Sequence, residues 1–169
     1  MRKTILRTLI PIALIFTLLS CTAESPEETA TATASNPKEV KNYVYQADET
    51  KLAELINEYR ASKNLSSLEI VNHISYKSEE HNDYMISRKV VNHDLFPQRS
   101  ENIIEVLGAV KVNENIAYNF TTPNSVLHAW LESPAHKANI EGNFTHFGIS
   151  ISIDPETGEK YYTNIFMKK

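Results

Sequence analysis
The chain has 169 residues, of which 41% are hydrophobic and 22% charged, with a formal net charge of −4 and a single cysteine. An acidic balance argues against nucleic acid as a partner, because phosphate backbones are gripped by clustered cations, and equally against a basic patch as the means of holding a membrane. One cysteine excludes an internal disulfide framework.

The first twenty residues read as an address. Arg2, Lys3 and Arg7 make a basic start, and Leu9 to Leu19 is apolar apart from Thr17. That run is shorter than the roughly twenty residues a bilayer-spanning helix needs. A short apolar core behind a basic start is a secretory signal. It ends in Leu18-Leu19-Ser20-Cys21. This run resembles the bacterial lipobox, whose Cys is acylated (palmitate among the chains) and becomes the new N-terminus. On that reading Cys21 carries the lipid and the membrane is a partner through it. The domain then stands outside the cytoplasm in a bacterial cell envelope. Cleavage leaves 149 residues with a formal charge of −7, enough for one domain with its own core.

Residues 21–47 are expected to be a disordered tether and 48–169 the folded domain. Thr22 to about Asn42 is mostly Thr, Ala, Ser, Pro, Glu and Lys, too poor in large apolar side chains to offset ordering. Leu52, Leu55, Ile56 and Tyr59 then follow the stripe of an amphipathic helix, capped by Asp48 or Thr50 and ended by Asn64. A second helix spans about Asn72 to Arg88, with Ile74, Ser78, His81 and Met85 on one face. There His81 reads as a hydrogen-bonded core histidine, whereas His73 and His128 fall near helix starts or surfaces. Asn92-His93-Asp94 leaves this helix as a turn. A short third helix covers about Gln98 to Leu107, with Ile103, Ile104 and Leu107 inward and Gly108 as its stop.

Val112 to Tyr118 reads as a strand or extended turn. Pro123 and Asn124 open a helix holding Val126, Leu127, Trp130 and Leu131, and Ser133-Pro134 closes it, leaving His136 in a turn. Trp130 reads as core. Phe147, Ile149, Ile151 and Ile153 alternate with Gly148, Ser150, Ser152 and Asp154, a period-two strand. A turn at Asp154 to Gly158 returns the chain into Lys160 to Met167, apolar on both faces. A strand apolar on both faces wants cover on both sides, which with these helices predicts helices sandwiching an antiparallel sheet.

The chain has no Gly-x-Ser-x-Gly elbow, phosphate loop, His-Glu-x-x-His or Cys-x-x-Cys, and an acylated Cys21 cannot be a nucleophile. What remains is His93, Glu114 and His136. Two imidazoles and a carboxylate make a zinc shell with a fourth position open to water. On the residues alone, that cluster and three scattered surface side chains are both open readings.

Several runs add weight to the cluster. Asn113-Glu114-Asn115-Ile116-Ala117 looks like the Gly-Glu-Asn-Leu/Ile-Ala signature of the CAP superfamily (cysteine-rich secretory, antigen 5 and pathogenesis-related proteins; SCP-like domain). Trp130 to Ile140 resembles that family's Trp-x-x-Ser-Pro-Gly-His-Arg-x-Asn-Ile run. Thr145 to Ile149 with Tyr161 to Phe166 is similar to its closing hairpin, and Val91-Asn92-His93 to its first histidine. The resemblance implies an α+β fold, a three-layer α-β-α sandwich around a mainly antiparallel sheet. It implies a cleft of two His and usually two acidic residues, binding a divalent metal in some members. His93, Glu114 and His136 match three of these. The second acidic position is Ser133 here, with Glu132 one residue off, and Asn113 replaces the usual Gly. Asn139 is placed to orient His136 or to cap its turn. The leading expectation is a lipid-anchored, non-catalytic binding module with a His/Glu cleft for a small or lipidic ligand and Zn2+ as the candidate ion. Its rivals are a zinc-dependent peptidase or esterase of the envelope and a structural or adhesive envelope protein.

Overall fold
Helices cover both faces of a small sheet, as the apolar patterning of its last strand requires. The computed structural model describes residues 39–169. The signal, Cys21 and the tether up to residue 38 lie outside the described residues. The elements in chain order are α1 (Ala47–Ser62), β1 (Glu69–Ile70), α2 (Asn72–Arg88), α3 (Phe96–Leu107), β2 (Lys111–Tyr118), α4 (Pro123–Glu132), α5 (Pro134–Ile140), β3 (His146–Ile153) and β4 (Lys160–Lys168). The sheet runs β1-β3-β4-β2. Strand β4 pairs antiparallel with β2 and with β3, while β1 pairs parallel with β3. This is the expected α+β sandwich with a mainly antiparallel sheet.

Strand β4 is the centre because both of its faces are greasy. Tyr162 and Phe166 join Leu52, Ile56, Trp130, Phe147 and Ile149 in the core under α1, α4 and α5. Ile165 and Met167 join Ile74, Ile103 and Val112 under α2 and α3, and Tyr161 packs with Met85 and Ile116. Gly148 and Ser150, on the other face of β3, are buried too. Ser78 Oγ donates to the Gly148 carbonyl, Asn82 donates to the Ser150 carbonyl, and Thr163 Oγ1 donates to Asn82 Oδ1 at 2.7 Å. Helix α2 is therefore stitched to the sheet by hydrogen bonds as well as by packing.

Both sheet edges are closed by side chains. On β2, the Trp130 indole donates to the Ile116 carbonyl at 2.9 Å and Asn139 Nδ2 to the Glu114 carbonyl at 3.3 Å. On β3, beyond the two-residue β1, the Ile149 amide donates to Ser75 Oγ and the Ile151 amide to Glu49 Oε1. Unpaired strand edges template aggregation, so these caps have a purpose beyond holding helices. Trp130 is core as expected, 1% exposed, and its N–H has this second task.

Several local expectations are corrected. Contacts to the fold begin before residue 48: the Lys41 amide donates to His73 Nδ1, Tyr43 O–H to Glu49 Oε1 at 2.6 Å, and Tyr45 bonds Ser75 Oγ. The two tyrosines dock a segment whose valines, Val40 and Val44, stay exposed. The N-cap of α1 is Gln46, whose amide donates to Glu49 Oε2 at 2.7 Å, in place of Asp48 or Thr50. His73 is buried, bonding Asn102 Oδ1 through Nε2, although it is the second residue of its helix. Ile104 is exposed while Ile103 is inward, since α3 offers only one face to β2. Ser133-Pro134 ends α4 but also opens α5, because Pro is favoured at the first position of a helix. His136 therefore sits on a helix, not in a turn.

Candidate functional site
The edge strand β2 carries the site. Its even residues Val112, Glu114 and Ile116 face α2 and α3, and its odd residues Asn113, Asn115 and Ala117 face α4 and α5. Glu114 thus stands among apolar neighbours, with its side chain 1% exposed. A carboxylate so placed must be paired and hydrogen-bonded. Arg99 on α3 provides the pairing: Nε donates to Oε2 at 3.0 Å and Nη2 to Oε1 at 2.9 Å. His93 Nδ1 donates to Oε1 at 2.9 Å. A carboxylate accepts only, so Nδ1 carries a proton, and in the neutral ring Nε2 presents a lone pair. The His93 side chain is 51% exposed, so this lone pair belongs to a ring open to solvent.

Two further groups fix the His93 loop. Arg99 Nη1 donates to the Asp94 carbonyl at 2.6 Å. His81 Nε2 donates to the Asn92 carbonyl at 2.8 Å and lies 3.8 Å from Glu114 Oε1. His81 is the hydrogen-bonded core histidine the sequence suggested, placed directly behind the cleft. Leu95 follows in the left-handed region with φ 59, a conformation strained for Leu. The loop is thereby held from three sides.

His136 approaches from α5, on the opposite face of β2 from the Glu114 side chain. Asn115 Nδ2 donates to the His136 carbonyl at 3.0 Å. Asn139 Nδ2 donates to Asn115 Oδ1 at 2.8 Å, and Asn139 Oδ1 accepts from Asn113 Nδ2 at 2.6 Å. Asn139 therefore staples α5 to the strand and positions His136 through the helix. Asn113, the departure from the family's Gly, is one end of that staple. The His136 imidazole is half-buried and stands within electrostatic reach of His93: its pKa is pushed down by burial first and by its interaction with the His93 ring second. Glu132 is elsewhere, 71% exposed and 3.6 Å from His128 on the surface of α4. Among the described residues no group of three or more His, Cys, Asp or Glu side chains is placed to hold a metal ion.

Arg99 is the site residue that sequence reasoning missed. Its signal was available: Arg99 and Ile103 are four apart on the buried stripe of α3. A cation on such a stripe points to a buried acceptor opposite it, an acid above all.

The Cysteine-rich secretory protein family (CAP) matches residues 53–166. The chain belongs to this family. This CAP domain is 30% identical over 131 residues to the uncharacterized protein YkwD of Bacillus subtilis, covering 75% of the present chain and 49% of that protein. It is 35% identical over 60 residues to the uncharacterized membrane protein YlbC of the same organism, covering 35% and 16%. The chain thus spans about half or less of the length of these curated relatives. An outer surface protein from Borrelia burgdorferi shares the fold with a TM-score of 0.67 at 23% identity, covering 78% of this chain and 99% of that one. An extracellular SCP-domain protein from Bacillus anthracis gives 0.62 at 24% identity, covering 72% and 40%. No helix among the described residues of the CAP domain is long and apolar enough to cross a membrane.

The imidazoles set an acid limit on the domain. His73, His81 and His136 are all depressed, with burial the leading cause in each. Unfolded His titrates at about 6.5. Below that pH the unfolded chain binds protons that the folded chain refuses. Stability from these groups is therefore full above about pH 6.5 and is lost as pH falls toward their folded values. Thermal melts are expected to give a lower Tm at about pH 5.5 than at about pH 7.5. A Tm that is level or rises on acidification would count against this account.

Proposed function
We propose that this protein is a lipid-anchored, extracytoplasmic CAP domain that binds a small or lipidic ligand at the cleft between His93 and His136, without catalysing its turnover. The observation that carries the reading is the occupancy of Glu114. Both oxygens are engaged, by Arg99 and by the His93 Nδ1 proton. The carboxylate is spent on orienting an imidazole, so it is not available as a general base.

A divalent ion fits this donor set badly. A His93/Glu114/His136 shell would pull Glu114 off the Arg99 guanidinium and seat a second cation beside it. The imidazoles offer what remains: the His93 Nε2 lone pair, and on His136 a ring kept neutral by burial. Such a pair suits a ligand with a hydroxyl or amide donor. The address rests on the basic start, the short apolar run and Cys21. The names of similar proteins, one an outer surface protein and one extracellular, support it.

The test uses full-length protein purified from its envelope fraction. Native mass spectrometry is expected to find a co-purifying small molecule that is lost in His93→Ala and His136→Ala. Metabolic labelling with a palmitate analogue is expected to mark the wild type and not Cys21→Ser. Two results would overturn the binding reading: steady hydrolysis of a p-nitrophenyl ester or peptide panel that disappears in His136→Ala, or micromolar Zn2+ retained in dialysis by the wild type and released by Glu114→Gln.

A further inference from the structure
The other buried arginine of the domain lacks what Arg99 has. Arg60, near the end of α1, is 2% exposed. Its Nε donates to the Ser66 carbonyl at 2.9 Å, and its Nη1 to the carbonyls of Ile140 at 2.6 Å and Gly142 at 3.0 Å. No carboxylate among the described residues lies within ion-pair distance of it, whereas Arg99 meets Glu114 at 2.9 Å. Carbonyl dipoles satisfy N–H groups but leave the unit charge uncompensated, and a buried charge without a counter-ion is costly. Burial lowers the pKa of both arginines; at Arg99 the neighbouring Glu114 offsets part of that effect, and at Arg60 no acid does.

The guanidinium also has a free end. Nη2 has no hydrogen-bond partner among the described residues, yet it is not among the atoms sealed from solvent. Arg60 lines a cavity of about 360 Å3 between the end of α1, the 141–145 loop and the end of β4. Around it stand Asn64, Ser66, Asn143 and Lys168, with Glu141 the acid of the lining. Glu141 is already used: its Oε1 accepts from the Tyr59 O–H at 2.6 Å and lies 3.9 Å from Lys137 Nζ. Lys168 Nζ donates to Asn143 Oδ1 at 2.9 Å, with further N–H donors left over. Lys111, outside this lining, stacks on Phe144, which also lines the cavity. On a chain of net charge −4, this pocket sets two cations, Arg60 and Lys168, and several neutral donors against one acid that Tyr59 already engages.

We propose that this pocket binds a phosphate group, free or on a small monoester, as the counter-ion of Arg60. Donors come from three separate chain segments, which suits an anion with acceptor oxygens on several sides better than a planar carboxylate. The volume leaves room for a small organic substituent on the phosphate. None of the lining residues belongs to the His93 cleft, so either site stands if the other fails.

Full-length protein in detergent is titrated by calorimetry with inorganic phosphate and, separately, with glycerol 3-phosphate, at ionic strength matched with sodium chloride. Saturable binding of at least one is expected, weakened at least about tenfold by Lys168→Glu and unchanged by His136→Ala. Arg60→Gln should abolish it, and circular dichroism checks that this variant is folded. If Arg60→Gln does not fold, Lys168→Glu decides the question. Tighter binding of glycerol 3-phosphate identifies an organic phosphomonoester as the source, and tighter inorganic phosphate identifies the free ion. A heat signal no different from that of chloride, or full-strength phosphate binding by Lys168→Glu, overturns the proposal.

Discussion

Arg99→Ala is expected to cost about 3–5 kcal/mol of folding stability, the scale for stranding one partner of a buried ion pair. The Arg99–Glu114 pair is closed by two hydrogen bonds near 3 Å, with the Glu114 side chain 1% exposed. Removing the guanidinium leaves the carboxylate facing His93 and His81 among apolar side chains, with no other fixed cation at ion-pair distance among the described residues. The loss extends to the loop, because Arg99 Nη1 also holds the Asp94 carbonyl. Adding Glu114→Gln to Arg99→Ala removes the stranded charge and is expected to recover part of the loss. Such non-additivity is the signature of a coupled pair. Urea unfolding of the two single variants and the double variant measures it. A single-variant loss below about 1 kcal/mol would match a surface pair instead.

Gly148→Ala is expected to destabilise by about 3 kcal/mol or more, at or beyond the upper end of overpacking costs. A Cβ at this position of β3 would lie 2.3 Å from the Ser75 amide nitrogen and 2.5 Å from the Ile74 carbonyl carbon. Both are backbone atoms of α2, so no side chain can swing away to relieve the clash. The helix cannot retreat either, since Ser78 bonds the Gly148 carbonyl, Ser75 bonds the Ile149 amide, and the Val71 amide just before α2 bonds the Phe147 carbonyl. Gly108→Ala is the control. Its φ is +72 with nothing within 4 Å of the added carbon. That change carries a left-handed backbone cost of about 1 kcal/mol and no clash. Chemical denaturation of the two variants separates sterics from conformation, and equal losses would refute the close-contact argument.

Much of the layer structure was legible in the sequence because it rests on local periodicity. The greasy two-sided strand at Lys160 to Met167 required cover on both faces, and α1 and α2 supply it. The period-two run from Phe147 to Ile153 and the Asp154 to Gly158 turn fixed the hairpin. Strand β1 escaped detection, since two residues carry no period and their pairing with β3 is long-range. Helix α5 was hidden by Pro134, which reads both as the end of one helix and as the start of another.

The sequence by itself determined the elements, the order of the layers and the presence of His93, Glu114 and His136 on a recognisable motif. All of these follow from short-range pattern. Tertiary structure alone decided what those residues touch. It set the buried Arg99 against Glu114, whose carboxylate also accepts from His93 Nδ1. It put His136 on a helix held against β2 by Asn139. It left Arg60 with carbonyls and no acid. The physical reason is the same in each case: the balance of a buried charge depends on which groups fold against it, and those groups are far away along the chain.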